Sequence, residues 1–121
     1  MKIIITGALG HIGSKLIRDL PSYFKKSEII MIDNFTTQRY TSLFNLPRHN
    51  YKFYSKDIMK DDLSFIFKDA DVVVHLAALT EATTSLDEPE KYERVNYVGT
   101  KNILELTIPL LTLSLHMGFE D

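Results

Sequence analysis

Three glycines stand three residues apart in ITGALGHIG: Gly7, Gly10 and Gly13. They follow an unbroken apolar run, Ile3-Ile4-Ile5, and precede a segment with helical spacing. A loop leading from a buried strand into a helix aims backbone N–H groups and the helix's positive end at one point. That makes an anion site suited to a pyrophosphate. In such a loop Gly7 permits the tight turn, Gly10 lets the backbone approach the ligand, and Gly13 lets the helix pack closely on the sheet. The spacing is GxxGxxG rather than the commoner GxGxxG, and a tight turn with a C-cap-like glycine is the competing reading. Twenty residues beyond Gly13, Asp33 closes a second apolar run, EIIMID. A carboxylate there can accept hydrogen bonds from an adenosine ribose and would repel a 2′-phosphate, which favours NAD over NADP. The alternative for Asp33 is an ordinary strand-end turn with Asn34. Arg39 pulls the other way: if its loop folds back, its guanidinium could meet a 2′-phosphate.

These residues need strands and helices to position them. Residues 2–6 read as a strand buried on both faces, because the apolar run is continuous rather than alternating. Residues 11–20 take helical spacing, with Ile12, Leu16 and Leu20 on one face and Pro21-Ser22 as the stop. Residues 28–33, 51–55 and 71–76 read as further strands. Residues 34–50 form a loop with a short helix, 61–68 a short helix with acids in its first turn, and 79–87 a polar loop. A long helix covers 89–108, with Pro89 in its first turn. Alternating strands and helices imply parallel pairing. Right-handed crossovers then give a partial doubly wound α/β sheet, a Rossmann-type fold of order 3-2-1-4. A ligand belongs at the switch point between strands 1 and 4.

The chain of 121 residues is one domain's worth, with net charge −2 and no cysteine. No basic block points to nucleic acid, no apolar run is long enough to span a membrane, and no signal-peptide pattern opens the chain. A cytoplasmic protein is expected. The absence of cysteine excludes disulfides and thiolate metal sites.

TGALGHIG, Asp33-Asn34, HLAA at 75–78 and RVNYVGTKNIL at 94–104 follow in order over about residues 1–108. In these motifs the chain resembles the extended short-chain dehydrogenase/reductase family, and within it the NAD-dependent nucleotide-sugar epimerases and dehydratases. The resemblance implies that Gly7, Gly10, His11, Ile12 and Gly13 bracket the pyrophosphate and that Asp33 and Asn34 bind the adenosine ribose side. It implies adenine contacts from Asp57 and Ile58, and a nicotinamide-ribose lining from Leu76, Ala77 and Ala78. Asn96 would support the nicotinamide half, Thr80 would lie near the cofactor ribose, and Ser85 near the substrate. Plainer roles compete: Asp57 as a strand-end cap, Leu76–Ala78 as core packing, Asn96 as a helix residue bonded to a loop, and His75 as a satisfied strand histidine rather than a catalyst.

Relatives continue into a fifth strand with a Ser/Thr cluster, a later helix bearing a catalytic Tyr-x-x-x-Lys pair, and a sugar-binding domain. The catalytic pair is expected to be absent here, and residues 109–121 form an atypical tail. Within it LLTLSLH is a candidate fifth strand, with Thr112 and Ser114 as stand-ins for the hydroxyl cluster. The expectation is a single, truncated NAD(P)-binding domain over 1–121: the cofactor portion of a UDP- or dTDP-sugar epimerase or dehydratase, inactive alone. The alternatives are a stand-alone dinucleotide-binding or scaffold module and a fragment of a carbonyl reductase of the same superfamily. On the long helix, Tyr92, Val95, Gly99, Ile103 and Leu106 should face the sheet, while Tyr97, Leu104 and Ile108 form a second apolar cluster. That second face predicts a homodimer through 89–108, unless the leucines of the tail cover it.

Overall fold

Ile3, Ile4 and Ile5 are each at most 3% exposed, because β1 (Lys2–Thr6) is covered on both faces. Ile4 packs with Ile30, Ile32, Val73, Leu63, Phe67 and Ile103 on one side; Ile3 and Ile5 pack with Ile17, Ile29, Met31 and Val74 on the other. Each buried isoleucine contributes on the order of 1.5–3 kcal/mol. The computed structural model describes residues 1–36, 39–77 and 89–107. After β1 come α1 (His11–Tyr23), β2 (Glu28–Asp33), a 3₁₀ turn (Tyr40–Leu43), β3 (Asn50–Ser55), α2 (Ser64–Phe67), β4 (Val72–His75) and α3 (Pro89–Thr107). The sheet is parallel throughout, in the order β3-β2-β1-β4, as the alternation of elements predicts. Thr6 lies in register with Ile32 on one side and His75 on the other, so the strand ends form a common rim. The loop at 79–87, the tail and its candidate fifth strand lie outside the described residues.

Four details differ from the sequence reading. Pro21 does not stop α1, which runs on to Tyr23. Proline lacks the N–H that would bond the Ile17 carbonyl, and here the Tyr51 hydroxyl donates to that carbonyl instead. Burial pushes the Tyr51 phenol up from its usual value against the opposing charge of Arg18, so the hydroxyl keeps the proton it donates. Ile12 is 48% exposed; the buried ridge of α1 is Gly13 and Ile17, with Leu16 and Leu20 beside it. The helix near 61–68 is only Ser64–Phe67, and its acids precede it as turn residues. Asp62 accepts from both the N–H and the hydroxyl of Ser64, which holds its carboxyl below the usual range. On α3, Tyr92, Gly99 and Ile103 are buried as expected, Val95 and Leu106 are half-buried, and Thr107 joins the buried row.

Candidate functional site at the carboxyl ends of the strands

The three glycines serve different ends. Gly7 holds a left-handed backbone, φ 67, and a Cβ on it would lie 2.7 Å from the backbone N of Ala77. At Gly13 a Cβ would lie 2.4 Å from the Gly7 carbonyl oxygen. Both are therefore demanded by the packing of loop on sheet and helix on loop. Gly10 is different: among the described residues a Cβ there would meet only the Gly7 carbonyl oxygen, at 3.4 Å, so they leave room for a side chain that the sequence omits. Directly after it, the N–H groups of His11, Ile12 and Gly13 find no acceptor among the described residues; Ser14 is the first to bond back, to the Gly10 carbonyl at 2.9 Å. Open donors at a helix start beside a glycine with vacant space make an anion cradle.

Asp33 lies at the next strand end and reaches this loop. Its Oδ2 accepts from the Leu9 N–H at 3.1 Å and its Oδ1 from the Phe35 N–H at 2.9 Å. Asn34 accepts from the N–H and hydroxyl of Thr36. The turn role of Asp33 and Asn34 is thus present in the geometry, and Asp33 is also placed beside the loop. The segment after β2 folds back over α1: the Ser42 hydroxyl donates to the Leu9 carbonyl at 2.9 Å, and Arg18 donates to the carbonyls of Ser14 and Phe44. Arg39 comes with it and meets His11, Nη2 to Nε2, at 2.6 Å. Phe35 stacks on Tyr40 at 4.5 Å between ring centres and tilts against Phe53 at 5.3 Å. Phe35 holds φ 60, a left-handed backbone that costs a non-glycine residue about 1–3 kcal/mol.

Asp57 joins the rim where the Lys56 N–H bonds the Asp33 carbonyl. Its carboxylate accepts from Met59 N–H and its own N–H donates to Asp61, so the capping role is realised. Ile58 is 8% exposed and packs in the core under α3, where a Cβ on Gly99 would lie 2.7 Å from its Cδ1. Asn102 donates to the Ile58 carbonyl at 3.0 Å, a tie the sequence reading missed. On the other side of β1, Leu76 is buried and Ala77 half-buried against the glycine loop. Asn96 is half-buried on α3, one turn from Thr100. Ala78, Thr80 and Ser85 lie outside the described residues. His75 is fully buried, bonded to Thr6 and Thr100, as the satisfied-histidine reading has it.

The spacing Tyr-x-x-x-Lys does occur once in the chain, at Tyr97 and Lys101, which corrects the expectation that the chain lacks it. It occurs on α3 and not on a later helix. Tyr97 is 69% exposed and Lys101 is exposed, on the face opposite the buried row of Gly99 and Ile103. The pair points away from the sheet. An open cleft of about 720 Å³ lies at the amino ends of the strands, with Lys2 and His49 on its walls. Both are engaged, Lys2 with the Lys68 carbonyl and His49 with Ser27.

The sequence profile described as GDP-mannose 4,6 dehydratase matches residues 4–112. The chain belongs to that family. Its relatives are nucleotide-sugar epimerases and dehydratases of the extended short-chain dehydrogenase/reductase type, the resemblance that the motifs carry. The chain is 38% identical over 112 residues to the dTDP-D-glucose 4,6-dehydratase of Dictyostelium discoideum, covering 86% of this chain and 25% of that protein. Among solved structures it is similar to the UDP-glucuronic acid 4-epimerase of Bacillus cereus in complex with UDP-glucuronic acid and NAD, with 31% identity and a TM-score of 0.80 over 93% of this chain and 38% of that one. It is also similar to the UDP-glucose 4-epimerase of Thermotoga maritima with UDP-glucose, with 27% identity and a TM-score of 0.78 over 93% and 37%. The chain thus spans between a quarter and two-fifths of these family members. Among the described residues, no helix is long and apolar enough to cross a membrane.

Proposed function

We propose that residues 1–121 are the NAD-binding portion of an NAD-dependent epimerase or dehydratase of UDP- or dTDP-sugars, forming a single cytoplasmic domain. The observation that carries this is the vacant space at Gly10 beside three open N–H groups, with the Asp33 carboxylate at the neighbouring strand end. In this reading Gly7, Gly10, His11, Ile12 and Gly13 hold the pyrophosphate. Exposure of Ile12 on the outer side of the helix start supports its place there. Asp33 and Asn34 take the adenosine ribose, Asp57 and Ile58 the adenine, and Leu76, Ala77, Ala78, Thr80 and Asn96 the nicotinamide half. NAD is preferred over NADP because Asp33 adds negative charge where a 2′-phosphate would sit.

The cofactor would supply hydride transfer at the sugar; this chain's residues bind and orient it. The isolated chain does not turn over a sugar nucleotide. General acid–base catalysis needs a group in reach of the reacting atoms. Tyr97 and Lys101 face outward, and both ring nitrogens of His75 are engaged. Tyr97 and Leu104, 69% and 47% exposed, give α3 a second apolar face, which supports a homodimer through that helix. Titration of the purified chain with NADH and NADPH tests the reading. Binding of NADH in the micromolar to millimolar range, about 4–8 kcal/mol, is expected, with NADPH weaker. Absence of NADH binding contradicts it.

A further inference from the structure

His11 opens α1 within the glycine loop, and its exposed side chain meets Arg39, which the segment after β2 carries back over the helix. The contact runs from Arg39 Nη2 to His11 Nε2 at 2.6 Å. A guanidinium offers N–H groups and has no acceptor, so Nε2 must accept. The ring is therefore neutral, with its hydrogen on Nδ1. Imidazolium carries N–H on both nitrogens and would set a donor and a second positive charge against the guanidinium. The bond thus exists in one protonation state of His11 and not in the other. Histidine is the side chain whose charge ordinarily changes between about pH 5 and 8. The backbone of Arg39 is fixed independently of this bond. Its carbonyl accepts from the Ser42 N–H at 3.1 Å, the Ser42 hydroxyl donates to the Leu9 carbonyl at 2.9 Å, and Tyr40 stacks on Phe35. Losing the bond to His11 frees a side chain and leaves the loop in place.

We propose that His11 is a specificity-determining residue for the cofactor: neutral, it holds Arg39 at the start of α1; protonated, it releases that guanidinium to the 2′-phosphate of NADP. Asp33, placed on the adenosine ribose in the cofactor reading above, accepts from the Leu9 N–H, so its carboxylate and the Arg39 guanidinium both touch the loop within residues 9–11. A phosphate is a stronger partner for a guanidinium than a neutral ring is, because both groups are charged and the planar fork fits two oxygens at once. While His11 is neutral, NADPH must break the His11–Arg39 bond to gain that contact. Once His11 is protonated the bond is already lost, and the imidazolium adds its own positive charge beside the phosphate. NADPH therefore gains on NADH as pH falls, and by linkage its binding takes up a proton. The other titratable and charged groups on the elements around His11, among the described residues, are Asp33 at the end of β2, Lys56 and Asp57 beyond β3, Tyr40 beside Arg39, and Lys15 and Arg18 on α1. Lys15 pairs with Asp19, and Arg18 donates to the carbonyls of Ser14 and Phe44. Side chains of these types ordinarily titrate outside the histidine range, so a change within it belongs to His11. The proposal rests on the cofactor reading above and names what tunes that site between its two cofactors.

NADH and NADPH titrations of the purified chain at about pH 8 and about pH 6 test it, with His11→Gln, His11→Ala and Arg39→Gln beside the parent. In the parent the preference for NADH should narrow by about five- to tenfold at the lower pH, the scale of one charged hydrogen bond exchanged. The 2′-phosphate itself loses charge as pH falls toward about 6, which works the other way, so narrowing does not come from the ligand. Glutamine at position 11 keeps an acceptor for Arg39 and does not titrate, and Arg39→Gln has no cation to release; neither variant should narrow. His11→Ala leaves Arg39 free at either pH, so its preference should already be narrow at the higher one. Calorimetry near neutral pH in two buffers of different ionisation enthalpy should show more proton uptake on NADPH binding in the parent than in His11→Gln. A parent in which NADPH gains nothing on NADH as pH falls, or the same narrowing in His11→Gln or Arg39→Gln, overturns the role of His11 and leaves the cofactor site intact. A parent that binds neither cofactor overturns the cofactor reading and this proposal with it.

Discussion

The two halves of the rim are held in different ways. On the adenosine side, the glycine loop and the segment folded over α1 are tied several times in parallel: Asp33 to Leu9 N–H, Ser42 to Leu9 carbonyl, Arg18 to Ser14 and Phe44, with the Phe35 ring against Tyr40 and Phe53. On the nicotinamide side, buried hydrogen bonds from Thr6 through His75 and Thr100 link the end of β1 to the Asn96 turn of α3. Parallel ties share a load, so losing one costs little. The adenosine side should therefore tolerate single polar deletions. Only substitutions that disturb the loop backbone should cost it much.

The largest effect is expected at Gly7. Alanine there must hold φ 67 and bring its Cβ to 2.7 Å from the Ala77 backbone, which does not yield as a side-chain tip would. We expect Gly7→Ala to cost about 2–4 kcal/mol, read as a lower midpoint in urea unfolding. A loss below about 0.5 kcal/mol would mean that the loop is not packed on Leu76–Ala77 as described. Next comes Asp33→Asn, which removes the charge and keeps one acceptor. The preference for NADH over NADPH should narrow by about tenfold, equivalent to ~1.4 kcal/mol, in parallel titrations. An unchanged ratio would assign discrimination to another group, Arg39 first. The smallest effect is expected from Ser42→Ala, which removes one of several parallel ties. About 1 kcal/mol of stability should go, with NADH affinity changed by less than about threefold. A large loss of affinity would show that the Leu9 loop depends on that one bond.

Much of this was legible in the sequence, for local reasons. Ile3-Ile4-Ile5 has no polar alternation because β1 is covered on both faces, and the strand order follows from the alternation of elements. Gly7, Gly13 and Asp33 are read from spacing because a strand, a turn and a helix of fixed rise put them at one rim. Long-range partners were not legible. Pro21 reads as a stop, yet Tyr51 compensates the Ile17 carbonyl from 34 residues away. Ile12 and Leu16 share a helical stripe with Leu20, but the close approach at Gly13 rotates the buried ridge toward Ile17 and leaves Ile12 in the open. Thr6 and Thr100 look like ordinary strand and helix threonines until His75 is seen between them. Tyr97 and Lys101 teach the same lesson in reverse: a spacing that suits catalysis carries none when its helix turns it outward.

The account's central claim is that Gly10 is glycine for a ligand and not for the fold. Gly10→Val, with Gly10→Ala as the milder partner, separates the two directly when thermal unfolding and NADH titration are measured on the same samples. The described residues leave room at that Cβ, so stability should fall by no more than about 1 kcal/mol, the cost of a poorer helix N-cap. NADH affinity should fall by at least about tenfold with valine and by less with alanine, because the added carbons occupy the phosphate's place. Valine binding NADH as well as the parent, with the fold intact, would contradict the phosphate-loop assignment.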